Sequence, residues 1–248
     1  MNVTVSAALA ELMAREPLDI RKQRLARWVP YAWKVVDLGA YAQNLQVLGK
    51  QAGGHLLLSM KSRFYGNQDS RRSPVLPLVA RAAGVSGYCV AGINEARDLR
   101  ECGMDHDRIM ILYRECMESG NIAEAISLGV ELFITNRAEA LEVCMKVVAM
   151  RRATMDDTIV ARVHVFLDTG MSRGGIPARD EQEIEQAVED VLSIRDLYGI
   201  EVVGLGMHFA SADAQDVSNA DGHFANFLAV LDRLYNAPNG RALRPQCL

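Results

Sequence analysis

Apolar residues gather along this chain in short blocks, and each block gives way to a stretch with helical period. The blocks span Leu56–Met60, Gly87–Ala91, Ile109–Tyr113, Glu131–Thr135, Val160–Leu167 and Val202–Met207. Apolar runs of this length between turn signals predict buried strands, and the periodic segments after them predict helices. The clearest helix carries Ile184, Ala187, Val188, Val191 and Leu192 on one face, with Glu183, Glu185, Glu189 and Asp190 on the other. Residues 137–149 predict another, with Leu141, Met145 and Val148 as its apolar stripe. Ahead of the first block, residues 33–38 read as extended, and the helix after them places Tyr41, Leu45 and Leu48 on one face. Residues 1–29 read as a separate helical extension, and residues 30–248 as one domain.

Strand and helix alternating without hairpin signals predict a parallel sheet with crossover helices, either an open doubly wound sheet or a closed barrel. A dinucleotide fold calls for G-x-G-x-x-G after its first strand, whereas Gly53-Gly54 precedes the strand here. The fold class expected is therefore α/β, a (β/α) barrel of the TIM type. A complete barrel has eight units, and the chain offers about six of them. The last stretch, from His223 to Leu248, reads as a helix followed by a loop. A barrel left open exposes sheet edges and apolar helix faces, so a homodimer or another covering association is expected.

Half the residues are apolar and 23% are charged, which suits a globular protein with a large core. The net charge of −4 comes from interspersed acids and bases. No basic face points to nucleic acid and no polybasic run points to a membrane surface, so a small-molecule substrate is the expected partner. No run reaches the roughly 18 apolar residues of a membrane span. The five cysteines, Cys89, Cys102, Cys116, Cys144 and Cys247, form no C-x-x-C pair and read as buried thiols in a reducing, cytoplasmic setting.

In a (β/α) barrel, chemistry gathers where strands end. The first block ends in Lys61, Arg63 and Tyr65, the fifth in Asp168 to Gly175, and the sixth in His208 with Ser211 and Asp213 beyond. A lysine at a buried strand end loses proton affinity through desolvation and can act as a nucleophilic amine. Position alone leaves that reading of Lys61 level with a lysine snorkelling from the rim. Arg173, among glycines, offers a fork of donors to a phenolate or carboxylate, or is a surface arginine in a turn. His208 could stack on an aromatic ring or exchange protons, or be a core histidine bonded to a carbonyl. His164 lies inside its strand and reads as core, while His55, His106 and His223 receive no role.

Taken together, these strand ends resemble the alanine racemase family. K-S-R-F-Y-G (61–66) is similar to that family's K-A-N-x-Y-G, and H-V-F-L-D-T-G-M-S-R-G-G (164–175) to its H-x-K-x-D-T-G-M-x-R-x-G. G-L-G-M-H-F-A-S-A-D (204–213) is similar to G-x-x-T-H-F-A-x-A-D, and the entry segment W-K-V-V-D-L-G-A-Y-A-Q-N-L to V-x-I-D-L-x-A-L-x-x-N-L. The four occur in the family's order. The resemblance implies a pyridoxal 5'-phosphate-dependent amino-acid racemase whose N-terminal barrel spans residues 30–248. Lys61 would hold the cofactor as an internal aldimine and act as one of two bases. Tyr65 would help bind the phosphate, Arg173 would meet the cofactor's phenolic oxygen or the substrate carboxylate, and His208 would lie against the pyridine ring. Asn67 stands where the family has histidine, and Phe166 where it often has a carbamylated lysine. The family continues to H-x-A-N-S, a further strand and a C-terminal β domain that carries the second base. Two alternatives follow: a catalytically inactive, truncated cofactor-binding module, and a single-base lyase or decarboxylase on the same barrel.

Overall fold

The computed structural model describes residues 36–62, 75–112, 119–210, 216, 218–237 and 246–247. The expected extension at residues 1–29, the start of the extended segment before it meets the first helix, and Arg63, Tyr65, Asn67, Ser211 and Asp213 lie outside them. By contact the chain divides into two compact units, residues 1–110 and 111–248.

In the first unit, α1 (Leu38–Gln51) starts at Asp37, whose carboxylate accepts the Ala40 N–H at 2.9 Å. That cap satisfies one of the donors a helix start leaves over. The buried residues of α1 are Ala42 and Leu45, with the Tyr41 hydroxyl donating to Leu76 O. Leu48, expected on that face, is exposed. Strand β1 (Leu57–Ser59) runs parallel to β2 (Gly87–Val90), with Leu57 opposite Gly87 and Ser59 opposite Cys89. Between them α2 (Val75–Ala83) buries Leu76, Pro77, Val79 and Ala80. Gly87 is glycine because a Cβ there would lie 2.6 Å from Arg108 O. The chain continues through α3 (Ile93–Glu101) into β3 (Ile109–Ile111). Arg81 at the end of α2 ties down the approach to β3 through Asp107, at 2.8 and 3.1 Å. The Tyr88 hydroxyl, fully buried, donates to Pro77 O at 2.7 Å, and burial pushes its ionisation well upward.

The second unit contains α4 (Ser119–Ser127), β4 (Glu131–Ile134), α5 (Arg137–Thr154), β5 (Ala161–Asp168), β6 (Ile176–Pro177), α6 (Glu181–Arg195), β7 (Ile200–Met207), α7 (Ser218–Tyr235) and β8 (Gln246–Cys247). Strands β4, β5, β7 and β8 pair in parallel in that order, and β6 pairs with the end of β5. Residues 246–247 were expected in a loop; instead they pair with Gly204 and Leu205 as a further parallel strand. A bulge shifts the β5–β7 register, so that Val163 faces Val202 but His164 faces Gly204. On one face of β5, Ala161, Val163, Val165 and Leu167 are almost wholly buried. Strand pleating puts Arg162, His164, Phe166 and Asp168 on the other. Helix α6 buries Ile184, Ala187, Val188, Val191 and Leu192 as its period predicts. Burying each of its larger aliphatic side chains is worth up to about 1.5–3 kcal/mol.

Helix α5 departs from expectation. Its buried positions are Glu139, Ala140, Val143 and Val147, while Leu141 and Met145 are exposed, Met145 to 64%. Two contacts set this rotation. The Glu139 carboxylate turns inward to accept both the N–H and the hydroxyl of Thr135, each at 2.8 Å. Val147 meets the backbone of Gly199, where a Cβ would lie 2.5 Å from Val147 Cγ1. A close approach of that kind favours small side chains over Leu141 or Met145. The same N-terminal device recurs, with Glu95 accepting from Ala91 N–H at 2.7 Å in α3 and Glu183 from Arg179 N–H at 2.9 Å in α6. In each case a glutamate in the first turn reaches back to a donor just ahead of the helix, a variation on the capping box.

Candidate active site

The richest strand end in the second unit is that of β5. Asp168 and Thr169 are buried, and the Asp168 carboxylate turns into the loop that follows. Its Oδ1 accepts the N–H of Gly170 at 3.1 Å and of Ser172 at 2.8 Å. The backbone closes the far side, with Ala178 N–H donating to Asp168 O at 2.9 Å. Gly175 is required at the return, because a Cβ there would lie 2.9 Å from Asp168 N. Ser172 takes the left-handed conformation, φ 58°, which an L residue adopts only when its surroundings impose it. The loop thereby presents Arg173 at its exposed tip.

Strand β7 lies beside β5, and Leu167 pairs with Met207 at their ends. The Thr169 hydroxyl donates weakly to Met207 Sδ at 3.9 Å. His208, the next residue, is exposed. Two sequence-predicted residues, Arg173 and His208, thus follow the same ends of neighbouring parallel strands. On β4 and β5 the rings of Phe133 and Phe166 meet tilted at 48° with centroids 4.4 Å apart, and Gly206 leaves room for the Phe166 ring, which a Cβ would approach to 3.3 Å. In the first unit, Lys61 follows the equivalent end of β1 and is half-buried. Met60 before it donates its N–H to Cys89 O at 2.7 Å and is almost fully buried, which prolongs the β1–β2 ladder to the lysine. Tyr65 lies outside the described residues.

His164 is a core histidine, as its place within β5 suggested. Its Nε2 lies 2.6 Å from Glu131 Oε2 with both side chains buried, and Arg162 approaches the same carboxylate at 3.3 Å. A buried pair of this kind costs desolvation, which its short contacts offset. Among the cysteines with described side chains, Cys89 is buried, but Cys102 and Cys144 are only half-buried. Among the described residues no cluster suits a metal ion, and no helix is long and apolar enough to cross a membrane. Sequence reasoning missed His223, whose ring lies against Gly170 of the Arg173 loop. The only signal available for it was the glycine in D-T-G.

Parallel strands with crossover helices and polar residues grouped at their C-terminal ends define an α/β protein of the (β/α)-barrel class. Comparison with known proteins gives the family. The model of the alanine racemase N-terminal domain matches residues 36–244, and the chain belongs to that family. It is 31% identical over 213 residues to the alanine racemase of Listeria monocytogenes strain EGD-e, covering 85% of this chain and 52% of that protein. The solved alanine racemase from Streptomyces coelicolor A3(2) aligns with TM-score 0.67 at 26% identity, over 85% of this chain and 51% of that one. The histidine racemase from Leuconostoc mesenteroides aligns with TM-score 0.66 at 16% identity, over 85% of this chain and 50% of that one, a likeness of fold alone. The chain thus spans about half the length of the proteins it matches. Its fold is that of the barrel in alanine racemase N-terminal domains, for which about six strand–helix units and the start of a further strand are present. The cofactor of this family is pyridoxal 5'-phosphate.

Proposed function

We propose that this chain is the cofactor-binding portion of a pyridoxal-phosphate-dependent amino-acid racemase. The observation that carries the reading is the Asp168-held turn, which leads from the end of β5 to Arg173, while His208 follows the end of the neighbouring strand β7. The donor set fits the cofactor chemically: an amine for its aldehyde, a guanidinium for its phenolic oxygen or the substrate carboxylate, and an imidazole for its ring face. When bound, the cofactor delocalises the charge that develops at the substrate α-carbon. In this reading the Lys61 amine anchors it and then takes up or returns the α-proton on one face. The β1–β2 ladder, prolonged by the buried Met60, supports that role by carrying ordered backbone up to the half-buried amine. Tyr65 is proposed as a phosphate contact.

The substrate is a small amino acid. A histidine racemase shares the fold, so the barrel by itself does not select alanine. The second base would come from another part of the protein or from a partner polypeptide, and the association expected is a homodimer. Residues 1–29 are proposed as an appendage to a domain of residues 30–248, a division supported by a family match that begins at residue 36. Cys89, Cys102 and Cys144 form no disulfide among the described residues, which suits the cytoplasmic setting proposed. A second reading is a cofactor-binding module without turnover.

The test is direct. Wild-type protein is expected to take up the cofactor with a visible absorbance that borohydride fixes to Lys61, and Lys61→Ala is expected to lose it. Incubation of L-alanine or D-alanine in heavy water then separates the readings. Deuteration with loss of configuration supports the racemase, cofactor uptake without exchange supports the inert module, and a changed amino acid would point to a lyase or decarboxylase. A wild-type protein that never binds the cofactor overturns both main readings.

A further inference from the structure

A residue on α7 lies against the Arg173 loop. The loop contains three glycines, Gly170, Gly174 and Gly175, all at positive φ. Such a backbone loses much conformational freedom when it is ordered, so a turn held only at its base would fluctuate. Asp168 holds that base through Gly170 and Ser172. Across Gly170 lies the imidazole of His223: a Cβ at position 170 would stand 2.7 Å from its Cδ2 and 3.0 Å from its Cε1, with Nε2 closer still. A larger side chain at position 170 would require the ring to move.

We propose that His223 is the positioning residue of the Asp168–Gly175 loop, pressing Gly170 onto the carboxylate-held turn and so setting where the Arg173 guanidinium meets an anionic ligand. The ring is mounted on a firm support. Helix α7 buries Phe227, Val230, Leu231 and Leu234. Its Asn226 side chain donates to Arg179 O at 2.9 Å, just beyond the point where the loop returns. The helix therefore grips both the start and the exit of the segment. His223 Nδ1 is shielded from solvent and makes no hydrogen bond among the described residues. The part of the proposal that concerns ligands rests on the strand-end reading given above.

The experiment uses the full chain and two readouts. Trypsin cleavage after Arg173, measured without cofactor, reports how often the loop opens. His223→Ala is expected to speed it about tenfold, and His223→Gln, planar and of similar reach, to leave it near the wild-type rate. Pyridoxal 5'-phosphate affinity, followed by absorbance, is expected to weaken about fivefold in His223→Ala and little in His223→Gln. A folded His223→Ala protein that is cut and binds like wild type overturns the proposal. If the alanine variant does not fold, His223→Asn, which is shorter than the ring, serves in its place. A reciprocal cycle adds a check: Gly170→Ala should raise cleavage less in a protein lacking the ring, and an equal rise in both backgrounds also overturns the proposal. If wild type takes up no cofactor, the functional reading fails while the cleavage rates still decide the clamp.

Discussion

Helices α5 and α6 pack beside each other in one unit, yet only α6 buries the stripe its sequence displays. Along α6, every residue outside the buried set is charged or polar, so one rotation alone is compatible with burial. Along α5, apolar residues occupy both faces: Ala140, Val143 and Val147 on one, Leu141, Met145 and Val148 on the other. Hydrophobicity alone would choose the larger set. The choice was made by local geometry, an inward glutamate at the first turn and a glycine backbone at the far end. Periodicity gives a helix its existence, while caps and close approaches give it its rotation.

The comparison can be broken most severely in α6. Val191→Asp places a carboxylate at a site with no solvent exposure. It is expected to cost at least about 4 kcal/mol and to leave little folded protein in a denaturant melt. The rotation of α5 is tested next. Glu139→Ala removes the acceptor of Thr135 N–H and is expected to lower stability by about 1–2 kcal/mol, with the fold retained by circular dichroism. Its counterpart Glu183→Ala should cost less, because that side chain is only partly buried whereas Glu139 is buried. Its contribution should also depend on pH. The side-chain and backbone hydrogen bonds from Arg179 hold the Glu183 carboxyl below its ordinary range. Stability from this contact is therefore present above the usual glutamate pKa and lost as pH falls through the lowered value, so wild type and Glu183→Ala should converge in acid. The smallest effect is expected at Met145→Lys, a change of about 0.5 kcal/mol or less despite its place in the apparent stripe. A large loss there would mean that another surface covers this face.

Legibility followed the same division. All six apolar blocks became strands, because a run flanked by turns has little else to form. Lys61, Arg173 and His208 could be singled out because strand ends are where polar residues interrupt apolar ones. The two-residue β8 has too little pattern to announce itself. His223 was passed over because nothing near it in sequence says that it will rest on Gly170. Leu48 was placed in the core of α1 although Ala42 and Leu45, a turn apart, suffice to fill it.

The bulge between β5 and β7 carries a consequence for inheritance of the site. Before it, Glu201 lies opposite Arg162; after it, Gly204 and Gly206 lie opposite His164 and Phe166, and His208 continues that phase beyond the last pair, Leu167 and Met207. Val203 is the extra residue, and it inverts the odd–even phase of everything downstream. Drawn into a regular ladder, Val203 would carry Leu205, Met207 and then Phe209 to the face of Glu201, and the histidine would turn to the other side. Looped out at the bulge, it leaves the downstream residues in their places, so an in-frame loss of its codon would straighten the strand and still leave an imidazole, rather than a benzene ring, at the mouth of this strand.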